Sequence, residues 1–193
     1  MNTLYPIFLK LHKLNLLIVG AGYVGYEKLH FILKNSPDAN ITVVAKEVSK
    51  EVQALLSKGN YKVKIIKKAF DDNDLIKNDL IIAATDIQEL NIEIHTLAKR
   101  RGKLVNVADT PELCDFYLGS IVTRGDLKVA ISTNGKSPTF AKRFRQVLEE
   151  VLPPDTNELL KNLKIIRDRL TGNFSEKVKA LNEITASLVE KAD

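Results

Sequence analysis

The chain has 193 residues and a formal net charge of +5, with 45% hydrophobic and 27% charged residues. This length and composition predict a globular protein with one large domain or two small ones. No apolar run approaches the roughly 18 residues that a membrane span needs, and the N-terminus lacks a signal-peptide pattern, so we predict no membrane association. The basic residues are interspersed with glutamates and no nucleic-acid-binding motif is present, so we also predict no nucleic-acid partner.

Five short runs rich in valine, isoleucine and leucine alternate with helical segments up to about residue 109. Strands that are apolar on both faces and are separated by helices are typical of a parallel sheet covered by helices. The sequence therefore predicts an α/β fold for this part of the chain. The five runs are LNLLIVG, ANITVVA, YKVKII, DLIIAAT and KLVNVA.

The chain after Pro111 has a different pattern. LGSIVT and LKVAIS flank Arg124-Gly125-Asp126, which predicts a β-hairpin. Ser137-Pro138 then has the pattern of a helix start, with serine as the N-cap. Two further segments with helical spacing follow Pro153-Pro154, and the apolar residues of the second run from Phe174 to Leu188. We therefore predict a hairpin, a long helix and a small helical C-terminal region.

A glycine-rich stretch, GAGYVG, follows the first predicted strand and opens a helix. In this context the G-x-G-x-x-G pattern predicts a dinucleotide site, whereas the alternative is a glycine-rich turn that binds nothing. Gly20 would permit the tight turn, Gly22 the close approach of a pyrophosphate, and Gly25 the close packing of helix on sheet. The amides of the helix N-terminus would bind the phosphates.

Two other strand ends carry candidate cofactor residues. After the second strand, Glu47 could accept hydrogen bonds from ribose hydroxyls, whereas Lys46 could hold the extra phosphate of NADP. Both could also be solvated, so these residues alone leave the cofactor open. After the fourth strand, small side chains leave room for a cofactor beside Thr85 and Asp86. Asp86 and Glu89 also have the spacing of a helix capping box, and the two roles are compatible.

Asp109 follows the fifth predicted strand. Ligands of open parallel sheets bind beyond the carboxyl ends of the strands, so we expect Asp109 on the same rim as the glycine loop. A carboxylate there can act as a general base while the dinucleotide accepts a hydride, although Asp109-Thr110-Pro111 is also ordinary turn chemistry. Cys114 has no histidine near it in sequence, so we expect a small buried hydrophobe rather than a nucleophile. The three histidines lack metal-ligand spacing, and we predict no metal site.

Four stretches together resemble the siroheme-synthase dehydrogenase module, precorrin-2 dehydrogenase, which in some members is also a sirohydrochlorin ferrochelatase. The resemblance covers residues 4 to about 153. It rests on YPIFLKLHKLNLLIVGAGYVG, AATD, VNVADTPELCDF and VAISTNGKSPTFAKRFRQVLEEVLP, of which the last two are not general features of dinucleotide-binding domains. Ala21 stands where many members carry glycine, and Gly25 stands where many carry alanine.

The resemblance implies NAD-dependent oxidation of precorrin-2 to sirohydrochlorin in siroheme biosynthesis. It implies a Rossmann-type domain over residues 1–112, a dimerisation segment over 113–152 and a small helical domain over 153–193, and hence a homodimer. It also implies that Asp109 is the catalytic residue. Its implied cofactor contacts favour NAD and lie at Tyr23, Val24, Lys46 and Glu47.

Precorrin-2 is a tetrapyrrole with eight carboxylate arms, so a basic, partly apolar cleft suits it. Basic residues cluster in the second region, and the stretch STNGKSP brings amides, hydroxyls and a helix N-terminus together, which suits an anion. For any single residue the alternative is a capped helix with a solvated basic face. The predicted substrate-binding residues are Arg124, Ser132, Thr133, Lys136 and Arg143.

Two other interpretations stay open on sequence alone. The chain could be a regulatory domain that senses NAD without turning over a substrate, or a structural dimer with a vestigial glycine loop. The sensor interpretation gives no reason for the Asp109 stretch or the basic cluster. Insertion of ferrous iron needs a base as well, so Asp109 could serve both reactions, but the sequence does not decide this. The single cysteine fits a reducing compartment, and we predict a cytoplasmic location.

Overall fold

The first part of the chain folds into a five-stranded parallel sheet with the strand order β3-β2-β1-β4-β5. The computed structural model describes residues 2–186, so the predicted Leu188 lies outside the described residues. All five predicted strands are confirmed, each somewhat shorter than its apolar run. They are β1 (Asn15–Val19), β2 (Asn40–Ala45), β3 (Val63–Lys67), β4 (Leu80–Ala83) and β5 (Leu104–Val107).

Helices cover both faces of this sheet. One face packs against α1 (Tyr23–Asn35) and α2 (Lys50–Ser57), and the other packs against α3 (Gln88–Arg100). Each helix buries an apolar stripe, which in α1 comprises Leu29, Ile32 and Leu33. Because both faces are covered, the central strands β1 and β4 bury nearly every residue, and this explains their continuous apolar runs, whereas the edge strand β3 carries two exposed lysines.

The strand order reverses between β1 and β4, since β1 pairs with β2 on one side and with β4 on the other. Ligands of open α/β sheets bind beyond the carboxyl ends of the strands at such a point. The register aligns these ends, because Val19 pairs with both Val44 and Ala83, and Ala83 pairs with Val107. The loops that follow β1, β2, β4 and β5 therefore start at one edge of the sheet.

The predicted hairpin is formed by β6 (Ser120–Arg124) and β7 (Leu127–Ile131), which pair antiparallel. The two-residue turn starts with Gly125 at a φ of 57°, in the left-handed region that hairpin turns require. The predicted long helix α4 (Pro138–Val151) starts at N-cap Ser137, whose Oγ accepts from the amide of Phe140 at 3.1 Å. Two further helices are α5 (Thr156–Arg169) and α6 (Phe174–Thr185).

The chain divides into two compact units. The first holds the residues up to Leu118 together with Asn134–Lys136, and the second holds Gly119–Thr133 and the chain from Ser137 onward. In the second unit α4 packs on β6, α5 packs on β7, and α6 packs on α5. The domain boundaries near residues 112 and 152 stay a prediction. No helix among residues 2–186 is both long and apolar enough to cross a membrane.

Candidate active site

Backbone hydrogen bonds join the four loops at the carboxyl edge of the sheet into one continuous rim. Each loop is bonded to the end of a neighbouring strand or to the next loop, so the backbone at this edge is fixed. The bonds run from Gly20 N to Val44 O (2.9 Å), Ser49 N to Ala21 O (3.0 Å), Ala84 N to Val19 O (2.8 Å) and Ala108 N to Ala83 O (2.9 Å).

Two glycines of the GAGYVG loop are required by the chain itself. Gly20 has a φ of 106°, and a Cβ placed there would overlap the carbonyl oxygen of Ala84. A Cβ on Gly25 would overlap the carbonyl oxygen of Gly20, at the point where α1 meets the end of β1. The predicted roles of Gly20 in the tight turn and of Gly25 in helix packing are therefore confirmed in geometry.

Gly22 is different because nothing in the chain requires a glycine there. Its φ is −78°, which any residue adopts, and a Cβ would meet no atom within 4 Å. It is the N-cap of α1, where the first amides of a helix have no intrahelical partner and attract anions. The first turn of α1 carries no acidic residue. The open space over Gly22 and the adjacent amides fit a dinucleotide pyrophosphate.

The next two loop residues face different surroundings. Tyr23 is exposed, and a hydrogen bond from its hydroxyl to Glu27 raises the pKa of the phenol. Val24 packs its side chain against the core beneath α1. Tyr23 can therefore offer a ring to a ligand, whereas Val24 can offer only its backbone amide. Their cofactor contacts stay predictions.

Lys46 and Glu47 form an exposed bend between β2 and α2. The bend lies beside the glycine loop, because the amide of Ser49 donates to the carbonyl of Ala21 at 3.0 Å. Within residues 2–186, neither Lys46 nor Glu47 has a side-chain hydrogen bond or ion pair, so both are available to a ligand. Their competing preferences for NAD and NADP stay a prediction.

The loop after β4 differs from the predicted capping box. The N-cap of α3 is Ile87, without a side-chain cap, so the predicted pairing of Asp86 with Glu89 is wrong. Instead the Thr85 hydroxyl accepts from the Ile87 amide at 3.2 Å and contacts Asn91 Oδ1 at 2.8 Å. Thr85 therefore closes a turn just before α3, with its hydroxyl held by Asn91, and no side chain among the described residues caps the helix.

Asn91 is a site residue that the sequence reasoning missed. It is 7% exposed, and its amide bonds both the backbone nitrogen (3.1 Å) and the backbone oxygen (3.0 Å) of Thr85. These bonds fix the loop that borders Gly20. A signal was present, because Asn91 shares the buried stripe of α3 with Ile94 and Ala98, and a polar residue in such a stripe needs partners.

Asp109 lies at the rim, directly after Ala108, in the left-handed region with a φ of 58°. Among the described residues its exposed carboxylate has no hydrogen bond or ion pair, so it is free to act on a ligand. A non-glycine residue in this conformation costs about 1–2 kcal/mol, although aspartate and asparagine tolerate it best. Such strain is typical of functional sites, where the surrounding structure holds a residue in place.

Cys114 is half-buried and hydrogen-bonded, so the expectation of a simple buried hydrophobe is wrong in part. Its sulfur accepts from the Val107 amide and from Asn106 Nδ2, each at 3.3 Å. Burial raises the pKa of the Cys114 thiol, which argues against a nucleophilic thiolate. Among residues 2–186, no group of three or more His, Cys, Asp and Glu side chains could hold a metal ion.

The predicted substrate-binding residues are divided between the two units, since Lys136 belongs to the first and the other four to the second. The Arg124 guanidinium donates one of its five N–H groups to the carbonyl of Glu149 near the end of α4. Arg143 donates to Gln146 at 3.2 Å but remains exposed. All five residues stay candidates for anion binding.

The loop before α4 contains two consecutive residues in the left-handed region. Asn134 and Gly135 both have positive φ, at 54° and 75°, and Thr133 Oγ1 accepts from the Ser137 amide at 3.1 Å. Ser132 and Lys136 are exposed within the same stretch. Thr133 is therefore already engaged as a hydrogen-bond acceptor at the start of α4, whereas the side chains of Ser132 and Lys136 are exposed.

Two family models match the chain. An NAD(P)-binding family covers residues 7–120, and a family described as the central part of sirohaem biosynthesis proteins covers residues 124–150. The chain belongs to the NAD(P)-binding family, whose model matches more than half of it. The first match includes all four rim loops and identifies the GAGYVG loop as part of an NAD(P)-binding domain.

Individual relatives agree with this assignment. The chain is 39% identical over 173 residues to a siroheme synthase of Pseudoalteromonas atlantica, and 37% identical over 179 residues to one of Ruthia magnifica. These matches cover 90% and 93% of the chain but only 34% and 35% of the relatives, so the chain spans about a third of their length. A solved structure titled "SirC, precorrin-2 dehydrogenase" matches with a TM-score of 0.72 and 29% identity, over 94% of this chain and 89% of that one.

Proposed function

We propose that the protein oxidises precorrin-2 to sirohydrochlorin with NAD, in siroheme biosynthesis. The siroheme synthases and the precorrin-2 dehydrogenase among its relatives support this substrate. The NAD(P)-binding family supports the cofactor class. Oxidation removes two hydrogens from the substrate, one as a hydride and one as a proton. The bound nicotinamide supplies the hydride acceptor, so the chain must supply a group for the proton.

The observation that carries the proposal is the carboxylate of Asp109, which is exposed and unpaired in the described part of the chain. Its carboxylate is exposed and unpaired among residues 2–186, and it lies at the rim through the bond from Ala108 N to Ala83 O. The backbone there is held in a strained left-handed conformation. A carboxylate that only shaped a turn would be expected to bond to its own backbone. We infer that Asp109 takes the substrate proton as a general base.

The glycine loop binds and orients the cofactor in this proposal. The α1 amides would hold the pyrophosphate over Gly22, and Lys46 and Glu47 would contact the adenosine ribose. Thr85 and Asp86 would contact the nicotinamide half, because their loop follows β4, on the other side of the switch point from β2. Asp86 is exposed and Thr85 is turned toward Asn91, so Asp86 is the freer of the two.

Carboxylate arms of the substrate are bound by the exposed basic and hydroxyl groups around α4. Ser132, Lys136 and Arg143 are the exposed members of the predicted set. Asp109 would also serve as the base if the protein inserts ferrous iron into sirohydrochlorin, since metal insertion displaces pyrrole protons. In that reaction the iron is a substrate, and we propose it only as a second activity of the same carboxylate.

We also propose a homodimer in which α4 forms part of the interface. Four exposed apolar side chains of α4, at i, i+4, i+7 and i+11, lie along one side of the helix, and two of them stack with ring centroids 6.0 Å apart. A self-complementary apolar surface is most often covered by a two-fold mate. The four are Phe140, Phe144, Val147 and Val151.

Turnover of precorrin-2 tests the proposal. Purified protein is mixed with precorrin-2 and NAD, and formation of sirohydrochlorin and NADH is followed by absorbance. The proposal expects the two products to appear in equal amounts. Tight NAD binding with no turnover of precorrin-2 would instead favour the regulatory domain that senses NAD.

A further inference from the structure

The segment after Asp109 closes the outer edge of β5. The amide of Val105 donates to Asp115 Oδ2 at 3.0 Å, and the Asp115 amide donates back to the Val105 carbonyl at 2.8 Å. Two positions further on, the Val107 amide donates to Cys114 Sγ at 3.3 Å, and the thiol lies 3.2 Å from the Val107 carbonyl. Edge strands leave such groups open, so Cys114 and Asp115 replace a sixth strand.

Cys114 also reaches across the turn that carries Asp109. Its sulfur lies 3.2 Å from the carbonyl of Val107 and 3.4 Å from the carbonyl of Thr110, the residues on either side of the Ala108-Asp109 pair. The Thr110 amide closes the same turn by donating to Val107 O at 3.3 Å. Because burial raises the pKa of the Cys114 thiol, its single hydrogen is retained at neutral pH and can be donated to either of these carbonyls.

The Asp109 side chain does not hold its own backbone, since it has no partner among the described residues. A strained left-handed residue persists only where its surroundings fix it. The rim fixes one side of the turn through the bond from Ala108 N to Ala83 O at 2.9 Å. On the other side, the Cys114 thiol lies within hydrogen-bond distance of both flanking carbonyls and can donate its single hydrogen to either.

Asn106 holds the sulfur in this position. Its Nδ2 donates to Cys114 Sγ at 3.3 Å and to the Phe116 carbonyl at 2.8 Å, on the α1 side of β5. The side chain is 6% exposed, and its Oδ1 accepts no hydrogen bond from the described residues. Both hydrogen bonds of this buried amide are therefore donated to the segment that contains Cys114 and Phe116.

We propose that Cys114 is a positioning residue, which acts through Asp109 by holding its backbone in the left-handed turn that points the carboxylate at the substrate. The inference rests on the proposed role of Asp109 as the base. The competing explanation is that Cys114 only closes the edge of β5. That explanation predicts loss of stability without any specific effect on Asp109.

Turnover of Cys114 variants separates the two explanations. We expect Cys114→Ala to lower kcat for precorrin-2 oxidation by about 10- to 100-fold while leaving KM and NAD affinity nearly unchanged, because small displacements of a catalytic group cost factors of this size. Cys114→Ser keeps one donor and the acceptor lone pairs, so it should regain most of kcat. A normal kcat for the alanine variant would overturn the proposal.

A double-mutant cycle with Asp109 makes the comparison specific. In single-turnover experiments on an Asp109→Asn background, where the base is already gone, Cys114→Ala should slow the reaction less than threefold. If Cys114→Ala slows the reaction by the same factor in both backgrounds, Cys114 does not act through Asp109, and the proposal fails. The exposed neighbour Glu112 supplies the control, since Glu112→Ala should leave turnover unchanged.

A spectroscopic readout distinguishes failure of this inference from failure of the proposed function. The ¹³Cα and ¹³Cβ shifts of Asp109 report its φ without any substrate. They should have left-handed values in the wild type and in Glu112→Ala, and move toward right-handed or extended values in Cys114→Ala. If the wild type fails to oxidise precorrin-2, the proposed function falls, and these shifts still decide whether Cys114 holds the turn. Unchanged shifts in Cys114→Ala would contradict the inference.

Discussion

Gly20 and Ala84 approach so closely at the switch point of the sheet that any side chain on Gly20 would overlap the Ala84 carbonyl oxygen. Gly22, two residues on, has open space above it and an ordinary φ of −78°. The two glycines therefore have different reasons to be glycine. The first is required by the fold, and the second is required only if a ligand approaches the backbone.

This difference predicts opposite results for two alanine variants. Gly22→Ala should change the melting temperature little, because the gain of about 0.4–1 kcal/mol from replacing glycine at a compatible φ is offset by alanine's poorer fit at the N-cap of α1. Its added methyl should lower NAD affinity at least about tenfold, because it occupies the space of the pyrophosphate. Gly20→Ala should destabilise the protein by more than about 2 kcal/mol. Thermal melting and calorimetric titration measure both effects, and normal NAD affinity in Gly22→Ala would contradict the site.

The bend after β2 carries the residues that can test the choice between NAD and NADP. We expect tighter binding of NAD than of NADP, as the family resemblance implies and despite Lys46 in the bend. Glu47→Ala should weaken NAD about five- to tenfold by removing a carboxylate acceptor for the ribose hydroxyls. The adjacent Lys46→Ala is the matched control, because it should weaken only NADP. Calorimetric titration of NAD and NADP into the wild type, Glu47→Ala and Lys46→Ala gives the six affinities to compare. Tighter binding of NADP than of NAD by the wild type would reverse the assignment.

The strands and the glycine loop could be predicted from sequence because their signals are local. A central strand covered on both faces is apolar at nearly every position. β1, β2, β4 and β5 lie inside their apolar runs, and β3 ends one residue beyond its run. GAGYVG was recognisable because a strand precedes it and a helix follows it. The Ser137 N-cap and the Gly125 turn are equally local and are confirmed.

The features that shape the candidate site depend on contacts that are distant in sequence or on backbone angles. Aspartate before Thr110-Pro111 is compatible with several turns, so the left-handed φ of Asp109 could not be predicted. The capping-box spacing of Asp86 and Glu89 was misleading, because α3 has its N-cap one residue later, at Ile87. Cys114 was expected to pack as a hydrophobe because no histidine lies near it in sequence, and its hydrogen-bond partners on the edge of β5 depend on the fold.

Protonation of the Asp115 carboxylate should contribute to the loss of stability at acid pH. Burial opposes its ionisation, but bonds from Lys99 at 2.6 Å and from the Val105 amide at 3.0 Å outweigh this and lower the pKa of Asp115. Because the pKa of Asp115 is lower in the folded state than in the unfolded state, its carboxylate stabilises the fold at neutral pH. This stabilisation is lost as the pH falls from roughly 4, the usual pKa of an aspartate, toward the pKa in the folded state. Asp115→Asn should therefore lose about 1–2 kcal/mol at neutral pH and show a flatter dependence of melting temperature on acid pH.

Asp168 is the control for this acid dependence. It pairs with Lys164 at 2.9 Å on the exposed surface of α5, and hydrogen bonding to that lysine is the main reason its pKa is lowered. Exposed pairs of this kind contribute little. Asp168→Asn should therefore alter the melting temperature less than Asp115→Asn at every pH. The reverse order would show that the edge of β5 does not depend on the Asp115 carboxylate.

The apolar side of α4 predicts the oligomeric state. Light scattering at micromolar concentration should give the mass of a dimer for the wild type. Phe144→Ser should give a monomer or a dimer that dissociates on dilution, because the exposed ring of Phe144 belongs to the proposed interface. Lys142→Ser, on the same helix, should remain dimeric. A monomeric wild type would overturn the proposed interface.

The left-handed turn predicts how Asp109 variants affect stability. Asp109→Gly should be as stable as the wild type or more stable, since glycine adopts a φ of 58° without strain. Asp109→Ala should lose about 1 kcal/mol, because alanine tolerates this conformation less well than aspartate does. Asp109→Asn should be nearly neutral. Thermal melting of the three variants checks this order, and a more stable alanine variant would contradict the geometry of the turn.

The most direct test of the account is the rate of precorrin-2 oxidation by Asp109→Asn. Asparagine keeps the shape and tolerates the turn, but it cannot accept the substrate proton. We predict an unchanged melting temperature and NAD affinity, with sirohydrochlorin formation slower by roughly 10²- to 10⁴-fold, the usual contribution of a general base. Near-normal turnover by this variant, measured beside the wild type, would contradict the catalytic assignment of Asp109.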